Sequence, residues 1–149
     1  MIKIPYEPLL TQQQVNEELG KFDEIPEHNI DHAKYITLYE ILEMHKNGQA
    51  GKEAFELNQT LLRVGPVVFV PFPFEVFTEI TMRLRAFAPF QHTLSISCAN
   101  GSNGYLPDES QMCRGGYEVD VFRWLTPERL PEDTDSRLIA ENLKIMEEL

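Results

Sequence analysis

Glu75, Tyr105 and Tyr117 are the residues whose types and places in this chain lend themselves best to chemistry. A carboxylate and two phenols offer oxygen donors to a metal ion, or proton donors and acceptors to a substrate. Glu75 stands behind Pro71-Phe-Pro-Phe74, where an apolar run gives way to a helical pattern. Active sites of open α/β sheets collect at the carboxyl ends of parallel strands, so that position is suggestive. The helix dipole accounts for a first-turn carboxylate equally well, and local pattern alone favours that account. Tyr105 and Tyr117 lie twelve positions apart in the glycine-punctuated stretch Asn100–Glu118. Loops longer than about 12 residues are uncommon in compact domains and are usually functional or disordered. The aromatic and glycine content of this one argues for order. The two phenols could equally be core anchors bonded to backbone, which the residues taken alone favour.

Other catalytic arrangements are missing. His28, His32, His45 and His92 form no His-Glu-x-x-His helical pair, and no Cys/His spacing matches a structural zinc site. Ser95, Ser97, Ser102 and Ser110 lack the Gly-x-Ser-x-Gly setting of a nucleophile elbow. Gly101, Gly104, Gly115 and Gly116 are followed by neither a Walker lysine nor an expected helix, which argues against a phosphate-cradling loop. Cys98 falls at the end of an apolar strand pattern and reads as a small buried hydrophobe. Cys113 lies in the loop, and two cysteines make no disulfide scaffold.

The elements that must position these residues follow from periodicity. Thr11 is placed to cap a short helix through Leu19, stopped by Gly20. Tyr35, Leu38, Tyr39 and Leu42 recur at i, i+3, i+4 and i+7, predicting a helix from Asp31, its N-cap, to about Lys46. Glu53–Val64 reads as a strand with broken alternation and Val67–Val70 as one buried on both faces. The Gly65-Pro66 turn between them predicts an antiparallel hairpin. Phe77, Ile80, Leu84 and Phe87 predict a helix ended by Pro89, and Thr93–Cys98 a strand. Together these make a strand–helix–strand unit with a parallel pair. Val119–Trp124 reads as a further strand, and Asp135 as the cap of a last helix through Met146. The fold class is α/β: a mixed sheet with a β-hairpin and a strand–helix–strand unit, flanked by helices.

The 149 residues suit one domain with a real core, and 42% hydrophobic with 25% charged residues is ordinary globular composition. A net charge of −11 argues against nucleic acid and against an anionic membrane surface. No signal peptide pattern opens the chain, and no apolar run approaches the roughly 18 residues of a transmembrane segment, so a cytoplasmic location is expected.

Beyond the local patterns, the chain resembles the neutral/alkaline (non-lysosomal) ceramidase family, in the later part of its catalytic domain. The family's Pro-Gly-Glu-x-x-Thr segment corresponds to Pro73-Phe-Glu75-Val-Phe-Thr78, with Phe74 in place of the glycine. Its Asn-rich turn, tyrosine, threonine-containing loop and closing Tyr-Glu correspond to Asn100-Gly-Ser-Asn-Gly-Tyr105-Leu-Pro-Asp108 and Gly115-Gly-Tyr117-Glu118. Asp108 stands about where the family often has threonine. The resemblance covers Phe55–Glu118 well and the flanks loosely. It implies a zinc-dependent hydrolase that cleaves the N-acyl bond of a sphingolipid or related amide. By the same resemblance Glu75 and Tyr105 would be metal ligands and Tyr117 an active-site residue beside the reacting amide. The family's two zinc histidines and its serine lie upstream of the glutamate, in motifs that His28, His32 and His45 do not match. The expectation is a C-terminal portion of such a domain, carrying half of a metal site and binding zinc weakly alone. The histidines would come from an N-terminal half or a partner chain, and the chain could self-associate through surface left uncovered. The alternative is a non-catalytic α/β binding or interaction module.

Overall fold

The computed structural model describes all 149 residues. It contains, in order, β1 (Ile2–Pro5), α1 (Gln12–Leu19), α2 (Asn29–Lys46), β2 (Ala54–Leu57), β3 (Leu62–Val64), β4 (Val67–Pro71) and β5 (Glu75–Val76). Then follow α3 (Thr78–Phe87), β6 (His92–Ile96), β7 (Tyr105–Leu106), α4 (Glu109–Met112), α5 (Tyr117–Trp124) and α6 (Thr134–Glu147). The fold is mixed α/β, as the periodicities predict. No helix is long and apolar enough to cross a membrane.

The central sheet has the order β3–β4–β6. Gly65, at φ +57°, turns β3 into the antiparallel β4, a conformation that glycine adopts without cost. Helix α3 carries the chain across to β6, which pairs parallel to β4 with Val68 opposite Thr93 and Pro71 opposite Ile96. The predicted hairpin and strand–helix–strand unit are therefore both present. The broad Glu53–Val64 strand is two, however. β2 pairs antiparallel with β1, and β3 with β4. β4 alternates rather than being buried on both faces: Val68 and Val70 are fully buried, whereas Val67 and Phe69 are half-exposed.

Phe72, Phe74, Ile80, Leu84, Leu106 and Leu138 join Val68 and Val70 in the main core. A smaller cluster packs α1 and α2 against Trp124 of α5. Thr11 caps α1 through a reciprocal capping box with Gln14. Helix α2 starts two residues before Asp31, behind His28, so Asp31 is a first-turn acid and not the cap. Its buried face is Thr37, Leu38 and Ile41, with Tyr39 turned outward.

Residues 119–124 form part of α5, not a strand. The Val-Asp-Val-Phe alternation suggests strand, but Gly115 and Gly116 (φ +67° and +109°) deliver a helix start here, and Glu118 and Asp120 sit in its first turn. The far end is satisfied from α2, where the Thr37 hydroxyl donates to the Trp124 carbonyl over 2.8 Å. Tertiary packing has overridden a weak local propensity. Helix α6 begins behind Asp133, so Asp135 is not its cap but a wholly buried side chain in the first turn.

Candidate functional site

At the carboxyl end of the parallel β4–β6 pair the two chain segments stay laced together. The Phe72 amide donates to the Ile96 carbonyl (2.8 Å), Ala99 to Phe72 (2.9 Å) and Cys98 to Phe74 (3.0 Å). Phe72, Pro73 and Phe74, which link β4 to β5, are buried, and Glu75, the first residue of β5, is exposed. Phe74, in the place of the glycine, thus points into the core, where its ring lies 5.6 Å from that of Phe55.

Two short strands then form the site. β5 and β7 pair in parallel with Glu75 opposite Tyr105 and Val76 opposite Leu106. The Glu75 amide donates to the Gly104 carbonyl (2.9 Å) and the Phe77 amide to that of Leu106 (3.2 Å). Gly104, at φ +75°, lets the chain enter β7 tightly against α5. A methyl group there would come within 3.2 Å of Leu125 and 3.3 Å of Val121. At the head of α5, Tyr117 is more than half exposed, and its ring meets that of Tyr105 edge-on at 6.0 Å. Glu75, Tyr105 and Tyr117 therefore come together. The stretch from Asn100 to Glu118 is not one long loop: it folds into β7, α4 and the start of α5.

The charge here is negative. The Glu75 carboxylate, then burial, then Tyr117, Glu118 and Cys98 push the Tyr105 phenol above its ordinary pKa, so it carries its proton at neutral pH. A cation placed among these oxygens would reverse that balance. Cys98 is exposed in the left-handed region (φ +52°), not buried within a strand, because β6 ends at Ile96. Both cysteines are free.

The histidines lie elsewhere. His32 Nδ1 is 2.7 Å from the Pro26 carbonyl oxygen and His45 Nε2 is 2.7 Å from that of Leu10. His28 precedes α2, and His92 opens β6 at the end remote from Cys98. No three His, Cys, Asp or Glu side chains converge as a metal-binding group. Zinc in a catalytic site takes three protein ligands and in a structural site four. The Glu75 carboxylate and the Tyr105 phenol offer at most two donor groups, fewer than either kind of site takes, so a zinc ion held by this chain alone does not fit.

Behind Phe74, an apolar cleft of about 150 Å³ is lined by Tyr6, Phe55, Asn103, Val121 and Leu130 among others. On the other flank, α3 is tied to both α4 and α6 by an ionic cluster that periodicity does not reveal. Arg83 Nη1 contacts Asp108 Oδ2 (3.1 Å) and Asp135 Oδ2 (2.6 Å), and Arg83 Nη2 contacts Ser136 Oγ (2.8 Å). Burial would raise the Asp108 carboxyl, but hydrogen bonds from Ser110 and Arg83 outweigh it and hold it below the usual carboxylate range. Asp108, conspicuous in sequence only as a replacement for threonine, is thus a buried partner of Arg83 and the cap of α4.

The chain matches no family model, no curated protein and no solved structure.

Proposed function

We propose that this chain supplies one half of a zinc-dependent amide hydrolase site of the ceramidase type. The observation that carries the reading is the direct opposition of Glu75 and Tyr105 in β5 and β7, with Tyr117 against the Tyr105 ring. Residues separated by thirty and by twelve positions are gathered where an open α/β sheet places its chemistry. In this reading Glu75 and Tyr105 are metal ligands, and two imidazoles come from another segment or chain. Tyr117 is the catalytic residue that donates a hydrogen bond to the substrate amide. What zinc would supply in the completed site is a polarised carbonyl and a water of lowered pKa. The substrate class is an N-acyl amide such as a sphingolipid, acting in lipid metabolism, and the location cytoplasmic.

The test joins the chain to a segment bearing the paired histidines and measures zinc content and amidase activity. Glu75→Ala and Tyr105→Phe should each lower zinc content, and Tyr117→Phe should lower turnover while the metal stays. A joined protein without amidase activity whose zinc content ignores Glu75→Ala would sink the reading. A second reading, a non-catalytic α/β binding or interaction module, is favoured by the engagement of His32 and His45 with backbone carbonyls. It expects neither zinc nor turnover in the same experiment.

A further inference from the structure

We propose that Arg83, bridging Asp108 and Asp135, is a positioning residue that holds Tyr105 against Glu75. The proposal rests on the reading of those two residues as the working pair. A parallel ribbon of two residues per strand has little stability of its own, so β5 and β7 need support from outside. β5 runs directly into α3, which carries Arg83, and β7 runs through Pro107 into Asp108. The Arg83–Asp108 contact therefore closes a ring that includes both strands. Asp135, with none of its surface exposed, fixes that ring to α6. Its Oδ2 takes the Arg83 contact and the Glu109 amide (3.1 Å).

The geometry needs a guanidinium. Nη1 serves two carboxylates while Nη2 reaches Ser136, a fork that the single ammonium of lysine cannot reproduce. Changing one partner of a buried ion pair lowers global stability whatever that pair positions, so the readout must be local to the ribbon.

The experiment is residue-resolved amide hydrogen exchange on the 149-residue chain, its Arg83→Lys variant and its Asp135→Asn variant. The amides of Glu75 and Phe77, which bond Gly104 and Leu106, should exchange about tenfold or more faster in both variants, while Val15 of α1 and the β1–β2 amides keep their rates. The ring-to-ring contact of Tyr105 and Tyr117 should be lost in parallel. Unchanged exchange at Glu75 and Phe77 overturns the proposal. So does acceleration spread equally over α1 and β1–β2, or an unmutated chain in which both amides exchange at unstructured rates. If neither variant folds, Ser136→Ala removes the Nη2 contact, together with the long Ser136–Glu109 contact (3.5 Å), leaves both carboxylates in place and is judged by the same local criterion. Failure of the functional reading looks different: the local exchange responds as stated, yet the histidine-completed protein shows no zinc dependence on Glu75.

Discussion

Glu75 and Tyr105 are opposed residues of a two-residue parallel ribbon, and the carboxylate is the chief cause of the raised Tyr105 pKa. A negative neighbour disfavours the phenolate, so its removal must act in one direction only. In Glu75→Gln the Tyr105 titration should move down towards the ordinary tyrosine value of about 10. Tyrosine-ring carbon shifts followed against pH would resolve it from the other four tyrosines. A Tyr105 titration indifferent to the substitution would show that the two side chains do not face each other.

Asp108 gives a second prediction, at the acid end of the scale. Its folded-state pKa lies below its unfolded value, so the ionised carboxylate contributes stability that is fully present above about pH 4. That contribution is lost as pH falls through the folded value. Asp108→Asn should cost about 1–3 kcal/mol at neutral pH, because Arg83 and the Ser110 amide lose a charged partner. The same variant should lose less stability than the parent between neutral pH and pH 3. Urea unfolding at the two pH values measures both effects, and parallel losses in parent and variant would contradict the assignment.

Gly104 is the third position with a definite expectation. Its φ of +75° disfavours any side chain, and a methyl group would press on Leu125 (3.2 Å) and Val121 (3.3 Å), which would have to give way by a few tenths of an ångström. Gly104→Ala should destabilise the chain by about 1–3 kcal/mol through strain and displacement of α5. Because α5 carries Tyr117, loss of the Tyr105–Tyr117 ring contact should accompany the fall in urea midpoint. A variant with an unchanged midpoint would show that α5 yields at no cost.

What the sequence made legible depended on how local each determinant was. The α1 cap, the Gly65 turn, the span of α3 and the parallel unit are written within short windows, and periodicity finds them, although Phe87 of the expected α3 stripe is 71% exposed. Helix α5 defies its local pattern: its β-branched alternation mimics a strand, while its determinants are two positive-φ glycines before it and Thr37, 87 positions before Trp124. The Arg83–Asp108–Asp135 cluster left no local trace at all: its members are 25 and 27 positions apart and meet only in the fold. Cys98 lies outside the strand its apolar neighbours suggest, because β6 stops two residues before it. The site roles of Glu75, Tyr105 and Tyr117 rest on the family resemblance, since local pattern alone favours a helix-dipole acid and core anchors, and their opposition across β5 and β7 depends on pairing that no window contains.

The outer face of the central sheet yields the last prediction. Leu62, Phe69 and Leu94 are cross-strand neighbours in register, and Pro71 pairs with Ile96 on the same two parallel strands. Leu62 is 59%, Leu94 39% and Ile96 43% exposed, although parallel strands are ordinarily covered on both faces. β6 is also an edge, since it pairs only with β4, and an apolar edge is a template for association. The chain should therefore self-associate with rising concentration, and Leu94→Lys with Ile96→Lys should suppress this while changing unfolding free energy by no more than about 0.5 kcal/mol each. Sedimentation velocity across a concentration series measures the first effect, and urea unfolding at low concentration the second. If the histidine-bearing segment covers this face, joining it should suppress self-association without either substitution. A parent chain that stays monomeric throughout would show that the exposed face does not mediate association.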